Sequence, residues 1–269
     1  MNCARFFTGA AFLTLLHFSA AHAAPVSSWT KTTGGSAITG LDTASPVFGD
    51  GTASSGNGYQ IYAALPETWT LAAVGDSLSF SGSVSFTIDG NAGSDQFRFG
   101  LFDTHGSNNN TGWLGYFATN SGTGGNPNGR LWERKDGNTT AYFNNADVSA
   151  SELQAFAGNP ATTFGTGTYA FSLSLERTDT GLRVTWSITG TGSTTYSIGG
   201  TYNDATPLTW SFDRVGLMSG GGLNAAQASF SDINATFASA VPEPSTWAML
   251  AALFVLVSAC LLRRHSSRM

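Results

Sequence analysis

Between residues 25 and 241 the sequence contains no cysteine; Cys3 and Cys260 stand near the two ends. No disulfide can staple these 217 residues, so a hydrophobic core alone must hold them. Histidine is nearly as scarce. His17 and His22 precede this stretch, His265 follows it, and only His105 lies within. Cysteine–histidine zinc sites and cysteine nucleophiles are thereby excluded, and a Ser-His-Asp triad would have to use His105. Positive charge is thin too. Eight Lys and Arg face sixteen Asp and Glu, so the stretch is near −8 while the whole chain is −5. Such a surface repels phosphate backbones, and nucleic acid is not an expected partner.

The ends have their own patterns. Arg5 precedes an apolar stretch from Phe6 to about Phe18, followed by the small-x-small box Ala21-His22-Ala23. Residues 1–24 therefore read as a helical signal peptide, cut by signal peptidase after Ala23 or Ala24. At the other end Val241-Pro242-Glu243-Pro244-Ser245 leads into an apolar run from Thr246 to Leu262, then the basic tail of residues 263–269 with Arg263, Arg264 and Arg268. Those 17 residues would make roughly 26 Å of helix, at the short end of a membrane span. The arginines mark a cytoplasmic side, and the prolines give the helix a hard start.

Pro-Glu-Pro, a short hydrophobic helix and a terminal Arg cluster, in that order, resemble the PEP-CTERM sorting domain. The resemblance covers residues 241–269. It implies recognition by an exosortase-type peptidase, with Pro242, Glu243 and Pro244 as the sorting signal. It further implies anchoring in the inner membrane before processing, then transfer to the cell surface or extracellular matrix.

Residues 25–240 read as one all-β domain. Leu78, Phe80, Val84, Phe86 and Ile88 alternate with Ser77, Ser79, Ser81, Ser83, Ser85 and Thr87, giving one apolar face and one hydroxyl face. Tyr169 to Leu175 and Leu182 to Ile188 alternate likewise across Asp179-Thr180-Gly181, a hairpin. Shorter strands are expected near Tyr59–Ala63, Trp113–Ala118, Leu131–Lys135 and Tyr196–Ile198, and a strand across Leu208, Trp210 and Phe212. One helix is expected from a Ser149–Glu152 capping box to Gly158. About a dozen short strands with no fixed-period repeat predict a two-sheet β-sandwich of jelly-roll type. The segment Trp210 to Leu217, then Phe230 to Ile233, is similar to the closing strands of concanavalin A-like and laminin-G-like domains.

Three groups of residues are candidates for chemistry. Asp103, His105 and Asn108, followed by Trp113 and Tyr116, offer polar partners for sugar hydroxyls and aromatic faces for a sugar ring. Asp89, Asn91 and Asp95 offer oxygen donors to a calcium ion, although no EF-hand pattern is present. Catalysis on a glycan needs two facing carboxylates, and Glu133 with Asp136 is the nearest pair in sequence. That pair reads better as a strand end entering an Asp-Gly turn. The expectation is a non-catalytic adhesive or carbohydrate-binding protein meeting an exopolysaccharide, with no cofactor beyond candidate calcium. A secreted jelly-roll glycoside hydrolase or lyase, and a structural coat component, are the alternatives.

Overall fold

The computed structural model describes residues 20–33, 37–89, 97–107, 112–120, 128–135, 143, 150–157, 164–240, 250–251 and 253–258. The chain divides into one unit of Ala21–Ser239 and another of Met1–Ala20 with Ala240–Met269. The first unit is a sandwich of two sheets. Sheet A runs β13 (Ser197–Asp204), β12 (Gly181–Thr191), β11 (Gly167–Thr178), β6 (Ser77–Ile88), β15 (Ala225–Ser239), β4 (Val47–Phe48) and β3 (Ile38–Thr39), and β1 (Ala20–Pro25) also pairs with β15. Sheet B runs β10 (Ala150–Ala157), β9 (Asn128–Arg134), β8 (Leu114–Thr119), β7 (Phe97–Asp103), β14 (Ser211–Ser219), β5 (Tyr59–Thr70) and β2 (Trp29–Thr33).

Period two explains sheet A directly. On β6 the apolar set from Leu78 to Ile88 is buried, and the serines between face outward. The expected hairpin is β11–β12, with Thr178 opposite Gly181. Gly181 has φ +150°, and a Cβ there would stand 2.0 Å from the Asp204 carbonyl oxygen, so the turn needs glycine. Between the sheets Phe86, Phe97, Phe99, Phe171 and Phe230 meet at ring separations of 5.0 to 6.3 Å. Burying each such ring contributes about 1.5–3 kcal/mol.

Sheet B departs from simple alternation. Every residue of β8, and all of β7 before Asp103, is buried, so these two strands are covered on both faces. Phe102, Trp113, Phe117, Trp132 and Phe143 form a second apolar cluster, with Tyr62 and Met218 against it.

The structure corrects one sequence expectation and bears on two others. Residues 150–157 are strand β10, antiparallel to β9, instead of helix. The edge of β9 satisfies their backbone groups, which outweighs a local capping pattern. Ala20–Pro25 is strand in the intact chain and pairs with β15, while residues 1–19 of the expected signal peptide lie outside the described residues. Residues 250–251 and 253–258 are helical, within the expected 246–262 segment. No helix among the described residues is long and apolar enough to cross a membrane. Ala23 and Ala24 lie in β1, while Pro242, Glu243 and Pro244 lie outside the described residues. The other expected strands are present, although β14 starts at Ser211, one residue past Trp210. The Arg177 guanidinium sits 4.4 Å over the Trp210 ring.

Candidate functional site

The residues expected to bind sugar are dispersed by depth. Trp113 and Tyr116 are buried, so neither ring is open to a ligand. His105 is exposed at φ 50°, its backbone N–H donating to Asp103 Oδ1 at 2.8 Å. Its Nδ1 is 3.9 Å from Asp103 Oδ2. Asp103 also accepts from the Thr209 hydroxyl at 2.7 Å, and Asp213 accepts from the Thr104 N–H and hydroxyl. These carboxylates tie the loop after β7 to the start of β14. Asn108 lies outside the described residues. Of the candidate calcium ligands, Asp89 Oδ2 accepts from the Ser54 N–H at 3.2 Å, and Asn91 and Asp95 lie outside the described residues. Among the described residues no group of three or more acidic, His or Cys side chains is placed to hold a metal.

Glu133 has a different partner from the one its sequence neighbours suggest. The Tyr116 hydroxyl lies 2.7 Å from Asp204 Oδ2 and 3.1 Å from Glu133 Oε1. Glu133 accepts further from the Leu208 N–H, and Asp204 from the Thr206 N–H, both at 2.9 Å. Both carboxylates are more than nine-tenths buried. Burial first, then the charge of Asp204, pushes the Glu133 carboxyl up to about 7. Burial and the two carboxylates likewise push the Tyr116 phenol far up. Held by both acids, the Tyr116 hydroxyl ties the end of β13 in sheet A to β8 and β9 in sheet B. With so little exposure, the pair cannot flank a polysaccharide bond.

The outer face of sheet B is closed by its aromatic cluster. Phe117 stacks on Trp132 at 11°, and Phe143 meets both Phe102 and Phe117 edge-on. Arg98 donates to the Phe143 carbonyl and Arg134 Nε to the Trp113 carbonyl. Burial lowers the Arg134 guanidinium to about 10.

The outer face of sheet A is open and different in kind. Its hydroxyls bond across strands: Ser85 to Thr168 at 2.7 Å, Ser172 to Ser187 at 2.9 Å, Thr185 to Thr201 at 3.0 Å. A recess of about 350 Å³ opens in this face, the size at which small-ligand sites begin. Ser81, Ser83, Ser172 and Ser187 bring hydroxyls to it, Gly82 and Ala170 a small apolar wall above the buried Phe171, and Asp232 a carboxylate. Asp232 stands at φ 53° where the β15–β6 register shifts between Ser231 and Asn234. That bulge turns Ser231 and Asp232 outward in succession. The serines were legible as a hydroxyl face; the bulge, and hence Asp232, was not.

No protein-family model matches the chain, and no curated protein matches it in sequence. Among solved structures, the carbohydrate binding module CBM66 from Bacillus subtilis is 11% identical over 78% of this chain and 96% of its own, with a TM-score of 0.42. The Emp47p carbohydrate recognition domain is 10% identical over 80% of this chain and 94% of its own, at 0.49. Lectin I from Ulex europaeus, in complex with the methyl glycoside of α-L-fucose, is 13% identical over 82% and 98%, at 0.48. Similarities this low carry nothing about ligand or site residues.

Proposed function

We propose that this chain is an exported, surface-held carbohydrate-binding protein that performs no catalysis. The recess on sheet A carries the reading. A carboxylate that accepts from neighbouring sugar hydroxyls, serine hydroxyls that donate and accept, and a small apolar wall at Gly82 and Ala170 for C–H groups are chemistry that suits a sugar ring. Asp232 is exposed, and among the described residues its carboxylate accepts only from the Ser231 hydroxyl, at 3.2 Å, so it is open to a ligand. The buried Glu133–Asp204 pair, by contrast, serves the fold, which weighs against the hydrolase alternative.

Export and sorting rest on the two ends. Pro242-Glu243-Pro244 and the arginine tail would address the chain to an exosortase-type peptidase. Leu253, Phe254, Val255, Leu256 and Val257, consecutive helical residues, are all exposed. A helix apolar on every side suits a lipid surrounding. Processing would leave the sandwich at the cell surface or in the matrix.

The test is co-sedimentation of the purified full-length chain with the producing cell's exopolysaccharide, with and without a calcium chelator, assaying released sugar. Retention without release is expected, and Asp232→Gly, which suits the left-handed backbone, should lower retention about tenfold, the loss of charge-assisted hydrogen bonds. Release of oligosaccharides would replace this reading with an enzyme. Loss on chelation alone would move the site to the Asp89 loop.

A further inference from the structure

We infer that the outer face of sheet A takes an extended, uncharged polysaccharide laid across its strands, with the recess as the subsite that fixes its position. This deepens the carbohydrate-binding reading and rests on it. The strand registers place hydroxyls in rows. Thr236, Ser79, Ser174, Thr185 and Thr201 stand side by side on β15, β6, β11, β12 and β13. One step along, Asn234, Ser81, Ser172 and Ser187 make a second row. Rows through Ser83 and Ser85 continue the pattern, Ser85 between Ser229 and Thr168. Neighbouring strands lie about 4.8 Å apart and successive rows about 6.7 Å apart, so the face is a regular net of hydroxyls. The recess lies between the Ser81 and Ser83 rows, within this net.

Charge narrows the partner. The sandwich carries sixteen acids against eight bases, yet this face is nearly bare of charge. Glu176 and Arg183, in the marginal row with Ser77, bond to each other, and Asp232 belongs to the recess. An acidic polymer would be repelled by the molecule as a whole, whereas a neutral polyhydroxylated one meets matching groups. The cross-strand hydroxyl bonds add preorganisation. Each bonded pair has used one donor and one acceptor, leaving one O–H and spare lone pairs for a ligand without first ordering the side chains. A polymer crossing the rows would repeat such contacts strand after strand, so affinity should grow with chain length. The recess, with its carboxylate, has no use to a second flat copy of the same face.

The experiment titrates the full-length chain with gluco-, manno- and xylo-oligosaccharides of the linear β-linked type, from disaccharide to polymer, with alginate as the acidic contrast. The Thr185→Val/Thr201→Val variant removes both partners of one hydroxyl pair, keeps β-branching and should fold as wild type. Expected for at least one series is binding that tightens with length, little alginate binding, and a polymer affinity roughly tenfold weaker in this variant. Disaccharide binding, which uses the recess, should be unchanged in it and lost in Asp232→Gly. Disaccharide binding that Asp232→Gly abolishes, with no gain from length, would overturn the extended-ligand inference and leave the recess standing. No binding to any series would overturn both. Self-association of the wild type that the double valine variant abolishes would show that a second copy covers the face, and would likewise overturn it.

Discussion

The two sheets turn opposite kinds of surface outward. The outer face of sheet B is a second core, with Phe102, Phe117 and Phe143 closing over the sheet and two arginines bonded to main-chain carbonyls among them. Among the described residues the outer face of sheet A has no such cover, and its side chains satisfy one another through hydroxyl bonds while remaining open. One face therefore holds the molecule together and the other is free for use. A surface need not be apolar to be organised: strand register alone has put hydroxyls in rows.

Substitutions can test that division. The largest effect should come from Phe102→Ala. It removes a fully buried ring in contact with Trp113 and Phe143, and should cost about 3–5 kcal/mol in chemical denaturation. A loss below about 1 kcal/mol would mean that sheet B's outer face is a cover, not a core. Next comes the proton held between the sheets. Glu133 titrates at about 7 in the fold against an ordinary 4.5, so between those values the folded chain keeps a proton that the unfolded chain has released. Its contribution to stability is complete below pH 4.5 and disappears as pH rises to about 7, a fall of roughly 3 kcal/mol. Denaturation midpoints across this range would show the slope, and Glu133→Gln, neutral throughout, should flatten it. The smallest effect is expected at Ser83→Ala, on the open face, within about 0.5 kcal/mol of wild type. A larger loss there would make the hydroxyl net a structural device.

How much of this was legible follows from the same division. On β6, β11 and β12 one face is buried and one is wet, so Leu78 to Ile88 and Leu182 to Ile188 gave both the strands and the hydroxyl face. On β7 and β8 both faces are buried, and period two has nothing to distinguish. Trp113 and Tyr116 therefore looked available when they are not: Trp113 lies in the outer cluster with Phe143, well removed from it in the chain, and Tyr116 lies in the core between the sheets. Residues 150–157 carried a helix-like pattern, and the partner that makes them a strand is β9. The Glu133–Asp204 pair spans 71 positions and leaves no local trace. Asp232 reaches the recess through a bulge, a feature that composition does not announce.

The hydroxyl net has a further consequence, concerning inheritance. Its positions are set by the same alternation that sends Leu78, Phe80 and Val84 inward. A slip of one residue would put those apolar groups outside and the serines into the core. The positions of the net are therefore copied along with the instructions for folding, and drift that keeps the sandwich keeps these side chains facing outward. Exchange of serine for threonine at one node alters one group among many of its kind. Novelty in this molecule should accordingly accumulate where a single residue decides the shape, at the Asp232 bulge, while the rows around it stay much as they are.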